Sequence, residues 1–407
     1  MDRPFARLTV TEKAARSLRA GHPWVYEGEV LTGGDPCPDG AVTDVYSPKD
    51  RWLGAGFYNS RSKIRVRLLT RNTNDRMDEA FFARRVRYAL DYRRRVMGED
   101  YADCRLIFGE ADGFPGWTLD RFGDVLVSEV LSLGIEQRKD MLYSLVLREL
   151  EQAGERVRVL YERSESPIRE KEGMSALKGP YAADGLESEP SGRVRIRENG
   201  ILYDVDYING QKTGFFLDQK YNRAAAARLA PGMRVLDCFT HTGAFALNCA
   251  AAGAERVTAV DVSADALARA ETNARLNSLE DRIDFLRSDV FEYLTALAEK
   301  KERPFDYIIL DPPAFTKSSA TVEAARRGYR EINRRAMQLL PRGGYLATCS
   351  CSRFMTAELF RSMLFDAARD ASVSLRQIEE RRQSPDHPIL WGVPETEYLK
   401  FWLFQIV

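Results

Sequence analysis

Residues 234–262 read RVLDCFTHTGAFALNCAAAGAERVTAVDV, and this stretch decides the fold of the chain. Short apolar runs from Arg234 to Phe239 and from Arg256 to Val262 are typical of buried strands. The Ala-rich segment between them, Ala244–Ala252, predicts a helix. A strand, a helix and a second strand in this order predict two neighbouring parallel strands with a helix packed against them.

The same alternation continues to residue 406 and predicts a doubly wound, Rossmann-like α/β domain of about seven strands. We expect the last strand to close the sheet as an antiparallel edge. The further strands are predicted at Ile283–Asp289, Tyr307–Leu310, Tyr345–Cys351, Ser374–Glu380 and Tyr398–Ile406. The further helices are predicted at Ala264–Leu276, Val290–Ala298, Ala320–Leu340 and Thr356–Ala368.

Three acidic residues end the first three predicted strands, at the edge where an open parallel sheet binds ligands. They are Asp237, Asp261 and Asp289; Asp261 suits the two hydroxyls of a ribose, and Asp289 with Val290 suits an adenine edge. The first loop has one glycine, Gly243, where the fingerprint of a dehydrogenase needs GxGxxG. An acidic loop instead suits the cationic amino and sulfonium groups of S-adenosylmethionine. The alternative is that each Asp only caps the following helix.

The fourth predicted strand ends in Asp311-Pro312-Pro313-Ala314-Phe315. Two prolines fix φ and remove backbone donors, so the loop is rigid and its carbonyl groups face a ligand. Asp311 is our candidate to hydrogen-bond the edge of a base, and Phe315 to stack on that base or on the cofactor.

The fifth predicted strand ends in TCSCS, residues 348–352, with Cys349 and Cys351 on one strand face. Methyl transfer to C5 of cytosine needs a thiolate that adds at C6, because C5 is not nucleophilic in the aromatic ring. Cys351 is nearer the open end of the strand, and we predict that it is the nucleophile. Arg353 and a helix start at Thr356 are the predicted aids to its ionisation. The alternative is a pair of buried core thiols.

The front of the chain has a different pattern. Residues 1–75 predict a small β-barrel, residues 76–190 a central α+β domain, and residues 191–407 the α/β domain. The whole chain balances 60 Lys+Arg against 60 Asp+Glu, which by itself argues against a nucleic-acid binder. Yet residues 61–95 hold 12 basic and 4 acidic residues, a local net charge of 12 − 4 = +8. Four basic residues in this region alternate with other side chains: Arg61, Lys63, Arg65 and Arg67. On a strand they would share one face, which we predict to bind the phosphate backbone of RNA. The alternative is that this face is only solvated.

Several longer motifs resemble a known family over essentially the whole chain. They are GHPWVY (21–26), RLIFGEADGFPGWTLDRFGD (105–124), TGFFLDQKYNR (213–223), LDCFTHTGAF (236–245), DPPAF (311–315), SCS (350–352) and SPDHP (384–388). These motifs are similar to those of bacterial large-subunit ribosomal RNA cytosine-C5 methyltransferases, which are class I S-adenosylmethionine-dependent enzymes with an N-terminal PUA domain.

The resemblance implies an enzyme that makes 5-methylcytidine in 23S ribosomal RNA through a covalent bond between Cys351 and C6, with Asp311 holding the cytosine. In TGFFLDQ, Phe216 suits a lid over the cofactor. The resulting cofactor residues are Phe216, Asp218, Gln219, Asp237, Phe239, Thr242, Gly243, Asp261, Val262, Asp289, Val290, Asp311 and Pro312. The resulting RNA contacts are Arg61, Lys63, Arg65, Arg67, Pro313 and Phe315.

Two other functions stay open: an RNA methyltransferase that acts on a guanine nitrogen or an exocyclic amine without a cysteine, and a cofactor-binding RNA chaperone. The sequence contains no run of about 18 apolar residues, so it predicts no membrane-spanning helix. Six Cys and three His favour neither a disulfide framework nor a metal site, so we expect a cytoplasmic protein. The sequence leaves a homodimer open.

Overall fold

A computed structural model describes residues 4–31, 36–300, 302–316 and 318–407. The described chain divides into two compact units. The first unit contains the chain up to residue 194 together with residues 205–217 and 385–396. The second contains residues 195–204, 218–384 and 397–407. The domain boundaries that we predict after residues 75 and 190 stay predictions.

The first unit begins with a five-stranded sheet of order β1-β3-β4-β5-β2. Alternating apolar residues such as Val45, Val66 and Leu68 are buried together with the apolar side of one short helix, and Thr11 caps that helix. This sheet agrees with the predicted small β domain. Its elements are β1 (Ala6–Thr9), α1 (Glu12–Arg19), β2 (Trp24–Tyr26), β3 (Val42–Tyr46), β4 (Trp52–Tyr58) and β5 (Ile64–Thr70).

A second sheet completes the first unit, with strand order β10-β9-β8-β7-β6. The long basic helix predicted here is present, and its buried Phe81, Phe82, Val86 and Leu90 recur at helical spacing. The elements are α2 (Glu79–Met97), β6 (Asp103–Phe108), β7 (Trp117–Phe122), β8 (Val125–Val130), α3 (Leu133–Glu136), α4 (Lys139–Gln152), β9 (Val159–Ser164), α5 (Ile168–Lys171) and β10 (Leu177–Pro180).

The predicted α/β alternation is present from residue 220 onward, after a two-stranded ladder formed by β11 (Arg193–Glu198) and β12 (Ile201–Asp206). Its elements are α6 (Lys220–Ala227), β13 (Arg234–Cys238), α7 (Ala244–Ala251), β14 (Arg256–Asp261), α8 (Ala264–Leu276), β15 (Ile283–Arg287), α9 (Val290–Glu299), β16 (Tyr307–Leu310), α10 (Val322–Leu339), β17 (Tyr345–Ser350), α11 (Ala357–Asp370), β18 (Leu375–Arg381) and β19 (Lys400–Ile406).

The seven strands form one sheet of order β15-β14-β13-β16-β17-β19-β18. Strands β13 to β17 are parallel, and the order reverses between β13 and β16. In such a sheet ligands bind at the carboxyl ends of the strands beside this switch point. The predicted Rossmann-like fold is confirmed.

The prediction for the last strand is wrong in one respect, because β19 is antiparallel but does not lie at the edge. It pairs with β17 on one side and with β18 on the other. The sequence of β19, KFWLFQI, is apolar at nearly every position and almost wholly buried, whereas β18 is largely exposed. A strand that is apolar on both faces belongs inside a sheet, so the more polar β18 forms the edge.

Two predicted site residues lie just beyond their strands. Strand β15 ends at Arg287 and β17 at Ser350, so Asp289 and Cys351 belong to the loops that follow. Alternation of side chains along a strand predicts that Cys349 and Cys351 share one face, but this does not apply to Cys351 because it lies outside the strand. Within the described ranges, no helix has the length and apolarity to cross a bilayer.

Candidate active site at the carboxyl edge of the large sheet

The loop between β13 and α7 has an unusual backbone. Phe239 and His241 have φ of 63° and 52°, and Gly243 has φ of 82°. Left-handed conformations at non-glycine residues are strained and concentrate at functional sites. A Cβ at Gly243 would lie 3.0 Å from the Cβ of Ala270, so glycine also permits this loop to pack closely on α8. Left-handed residues and close packing on α8 together define the shape of this loop.

Asp237 lies at the base of this loop with its side chain buried. Its Oδ2 accepts hydrogen bonds from Thr240 Oγ1 at 2.6 Å and from the backbone N–H of Ala246 at 3.0 Å. Its Oδ1 is buried without a hydrogen-bond partner in the described part of the chain. Burial raises the pKa of Asp237 to about 7. An unpaired buried carboxylate oxygen is costly, and a cationic ligand would satisfy it.

Asp261 and Val262 end the neighbouring strand with two different surfaces. Asp261 is half-buried, and its oxygens accept from the backbone N–H groups of His241 and Ser263, both at 2.9 Å. These hydrogen bonds fix the loop between β13 and α7 as well as the turn that follows Asp261. Val262 is 65% exposed, so an apolar side chain faces solvent where a flat ring of a ligand can lie. Binding of a ribose by Asp261 stays a prediction.

Asp289 is the residue for which the capping alternative holds. Its Oδ1 accepts from the backbone N–H of Glu292 at 3.1 Å, so Asp289 is the N-cap of α9. Its side chain is exposed, which leaves room for a second contact. The side chain of Val290 is buried and belongs to a hydrophobic core cluster, so its predicted contact with a ligand would go through backbone atoms. Contact with an adenine edge therefore stays a prediction that rests on Asp289 and on backbone atoms.

A hydrogen-bond chain joins the segment before α6 to strand β16. Gln219 Nε2 donates to Asp311 Oδ1 at 3.0 Å, and Asn222 Nδ2 donates to Gln219 Oε1 at 2.7 Å. The hydroxyl of Tyr398 donates to Asp218 Oδ2 at 2.5 Å. The amide of Gln219 is thus oriented by its own neighbour and positions the carboxyl of Asp311.

Phe216 precedes this chain, and the structure assigns it to the first unit. Its ring is half-buried, and Lys212 Nζ lies 4.9 Å from the ring centroid. The predicted lid role of Phe216 stays a prediction.

Asp311 follows β16 and is half-buried. Burial, assisted by the charge of Asp218, raises its pKa to about 6, while Arg223 and hydrogen bonds from Cys349 and Gln219 act against that shift. A carboxyl group that titrates near neutral pH can serve as an acid or as a base.

The two prolines after Asp311 have different surroundings, since Pro312 is buried and Pro313 is exposed. The ring of Phe315 is half-buried and packs on Tyr329, with the ring centroids 4.5 Å apart. Stacking of Phe315 on a base, and contact of Pro313 with RNA, stay predictions.

The two cysteines of strand β17 differ in access. Cys349 is fully buried inside the strand, and burial raises the pKa of its thiol well above its usual value. Cys351 lies in the loop beyond the strand and is half-buried. The six cysteines form no disulfide. Cys351 is therefore the thiol that a substrate can reach at this edge.

Arg353 and Thr356, the predicted aids to ionisation, have other contacts. The guanidinium of Arg353 lies 4.5 Å from the ring centroid of Phe354. Thr356 caps α11, since its Oγ1 accepts from the backbone N–H of Leu359 at 3.3 Å. A cation that the sequence reasoning missed is Lys400, whose Nζ donates to the carbonyl oxygen of Ser352, the residue after Cys351, at 2.6 Å. The pairing of β19 with β17 brings this lysine to the thiol loop, and that pairing is not part of the sequence prediction, in which β19 forms the edge.

The predicted RNA-binding face of the first unit needs a correction. Strand β5 begins only at Ile64; Arg61 and Lys63 precede it and are exposed. Arg65 is half-buried and pairs with Glu27 at 3.0 Å. Arg67 is buried and pairs with Glu172 at 2.9 Å and with Glu110 at 3.4 Å. The four residues therefore do not share one solvent face, because Arg61 and Lys63 precede the strand and the side chains of Arg65 and Arg67 pair with carboxylates of the same unit.

Fold and site together define a class of protein. The seven-stranded sheet, the strained acidic loop and the unsatisfied Asp237 fit a cationic nucleoside cofactor. A family model described as S-adenosylmethionine-dependent methyltransferase matches residues 174–404, and one described as PUA-like domain matches residues 8–71. The chain is thus a methyltransferase that uses S-adenosylmethionine and carries an N-terminal PUA-like domain, and both predictions are confirmed.

The relatives define the family more closely. Ribosomal RNA large subunit methyltransferase I of Citrobacter koseri is 39% identical over 403 residues, which cover 98% of this chain and 99% of that protein. The protein of the same name from Klebsiella pneumoniae is 38% identical over 408 residues and covers both chains completely. The chain belongs to the family of these ribosomal RNA large subunit methyltransferases.

Solved structures agree on the fold. A putative methyltransferase from Streptococcus mutans superposes with a TM-score of 0.82 at 22% identity, and the match covers 98% of this chain and 99% of that one. A structure of a putative methyltransferase complexed with SAH has the same TM-score at 21% identity, with the same coverage.

Proposed function

We propose that the protein methylates C5 of a cytosine in 23S ribosomal RNA through a covalent intermediate on Cys351. One observation carries the proposal: a half-buried thiol lies beyond β17, and Asp311 directly follows the neighbouring parallel strand β16. The relatives' name supports large-subunit ribosomal RNA as the substrate. Such an enzyme would meet its RNA in the cytoplasm, which agrees with six cysteines that form no disulfide.

The chemistry assigned to the chain begins at Cys351. Its thiolate adds to C6, and the sulfur electron pair forms the S–C6 bond while the C5=C6 π electrons make C5 nucleophilic. S-adenosylmethionine supplies, when bound, an electrophilic methyl group. After C5 is methylated, loss of the C5 proton restores the double bond and expels the thiolate.

We assign the binding of the cytosine to the carboxyl group of Asp311. In its neutral form it donates a hydrogen bond to the base, and this favours addition at C6 because the ring then accepts electron density more readily. A pKa of about 6 means that both forms are populated near neutral pH. The base that removes the C5 proton is then either ionised Asp311 or a water that Asp311 orients.

A base inside a duplex cannot present C6 to a thiol, so the target cytosine is flipped out or unpaired. We assign the flanking RNA to the exposed Arg61 and Lys63 and to the outer face of α2. That face exposes Tyr88 and Tyr92, and aromatic rings of this kind stack on unpaired bases. The charge of residues 61–95 predicts RNA contact in this region, whereas the two tyrosines carry no such signal in the sequence.

The test is Cys351→Ala against Cys349→Ala. Loss of the nucleophile lowers methyl transfer to naked ribosomal RNA by at least about 10³-fold and abolishes the covalent adduct with RNA that contains 5-fluorocytidine. Cys349→Ala keeps the adduct, because that thiol is buried within the strand. Full activity of Cys351→Ala would instead favour methylation of a guanine nitrogen. Mass spectrometry of ribosomal RNA with and without the protein identifies the base.

A further inference from the structure

Lys400 is a buried cation without a carboxylate at ion-pair distance among the described residues. It lies in β19 opposite Ser350 of β17 and is 2% exposed. Its Nζ donates to the carbonyl oxygens of Ser352 at 2.6 Å and of Tyr398 at 2.8 Å. Across the described ranges, no carboxylate oxygen lies within 4.0 Å of this nitrogen. A buried ammonium costs several kcal/mol unless it is paired and hydrogen-bonded, so the absent counter-charge needs an explanation.

The contacts of Lys400 lead to Cys351. The carbonyl that Lys400 binds belongs to Ser352, the residue after the cysteine, and an ammonium has three donors of which two are used here. Burial lowers the pKa of Lys400 to about 8, and the charge of Cys351 acts against that shift. The other charged groups that face the amine are Arg382, which lowers its pKa, and Glu397, which raises it.

We propose that Lys400 is the counter-ion of the Cys351 thiolate and keeps this cysteine ionised near neutral pH. The pair loses one proton to solvent; the electron pair of the S–H bond stays on sulfur, and the remaining protons stay on the amine as an ammonium. Lys400 is a positioning residue, since it acts through Cys351. The inference rests on the proposed function to the extent that Cys351 is the nucleophile.

The test measures the ionisation of Cys351 without any RNA. The full-length protein is treated with iodoacetamide from pH 6 to pH 9.5, and alkylation of each cysteine is followed by peptide mass spectrometry. A thiolate reacts and a thiol does not. In wild type we expect the midpoint of the Cys351 profile to lie below that of Cys37, the other half-buried cysteine. In Lys400→Met we expect the Cys351 midpoint to rise by at least one pH unit, which slows alkylation at pH 7 about fivefold when the wild-type midpoint lies near 7.

Two variants separate this role from a merely structural one. Lys400→Arg keeps a cation and retains most of the wild-type profile. Lys220→Met removes another buried lysine of the unit, 1% exposed, and leaves the Cys351 profile unchanged. Unchanged alkylation of Cys351 in folded Lys400→Met overturns the proposal. If Lys400→Met does not fold, a wild-type midpoint for Cys351 as high as that for Cys37 overturns it equally.

The result is distinguishable from failure of the proposed function. The alkylation profile needs neither RNA nor cofactor, so it reports on the Lys400–Cys351 pair even if the substrate is another base. With an active preparation, Lys400→Met shifts the pH profile of methyl transfer to higher pH, and Lys400→Arg restores it.

Discussion

Strand β5 and the carboxyl edge of the large sheet treat their charges in opposite ways. Along β5, Arg65 and Arg67 each pair with carboxylates of the same unit. At the sheet edge, Asp237 keeps one buried oxygen without a partner, and Lys400 is buried without a carboxylate among the described residues. Charges that are paired internally hold a structure together, whereas buried charges left unpaired are available to a ligand or a reaction. This difference separates the two regions better than their net charge does.

The largest expected effect comes from breaking a paired charge. Arg67→Met leaves Glu172 buried without its cation, although Asn59 Nδ2 still donates to Glu172 Oε2 at 3.0 Å. We expect the free energy of unfolding of the first unit to fall by about 3–5 kcal/mol, with the rate of methyl transfer by the folded protein unchanged. Urea unfolding followed by tryptophan fluorescence measures this, since four of the five tryptophans lie in the first unit.

The double variant Arg67→Met with Glu172→Gln is the matched control. It removes both charges, so part of the lost stability returns. Arg84→Met breaks the more exposed pair with Asp75 and costs at most about 1 kcal/mol. An equal loss in both single variants contradicts the assignment of Arg67 to a buried network.

A smaller effect is expected from an unpaired charge, through pH. The raised pKa of Asp237, about 7, means that its ionisation opposes folding: the stability it contributes is complete below pH 3.8 and is lost as the pH rises through 7. A cationic cofactor prefers the ionised form. We therefore expect the affinity for S-adenosylmethionine to rise with pH up to about 7, by at most about tenfold per pH unit, and then to level off.

Calorimetry between pH 5.5 and 7.5 measures that slope. Asp237→Asn removes the titrating group, so its affinity is lower and nearly independent of pH, apart from any contribution of Asp311. A wild-type affinity that is flat across this range contradicts contact between Asp237 and the cationic end of the cofactor.

The smallest effect is expected from exposed cations. Arg61→Ala together with Lys63→Ala removes two exposed basic residues that precede β5. RNA affinity falls a few-fold, and the slope of log affinity against log salt decreases by about 1.5, as expected for two phosphate contacts. Filter binding at several salt concentrations checks this. Arg148→Ala in α4, which breaks an exposed pair with Glu79, is a control on the same unit, and an equal change of slope there removes the special role of Arg61 and Lys63.

Much of the large sheet follows from local sequence. All seven strands are found within two residues of their predicted ends, because short apolar runs alternate with helical segments. Asp237, Asp261 and Asp311 lie at strand ends for the same reason. The contacts of individual side chains could not be predicted in the same way. The identity of a residue at a strand end does not say whether Asp289 caps a helix or whether Val290 is part of the core.

The contacts that the sequence did not predict share a physical cause: they join residues that lie far apart in the chain. Arg67 meets Glu172 and Lys400 meets Ser352 across dozens of positions, and neither spacing has a local signature. The interior position of β19 in the sheet could nevertheless be predicted from its sequence. Its apolar residues do not alternate with polar ones, and that pattern describes a strand covered on both faces.

The interior place of β19 also constrains the order in which the molecule can fold. Each of the strands β13 to β17 is joined to the next by a crossover helix. One edge of β17, however, stays unpaired until residues 400–406 insert between β17 and β18. Closure of that sheet is a contact of long sequence separation and is therefore slow. On the ribosome, where N-terminal segments emerge first, the sheet stays incomplete until its last strand is made. Because Lys400 lies in that strand, the thiol loop and its lysine cannot meet before residues 400–406 have been made.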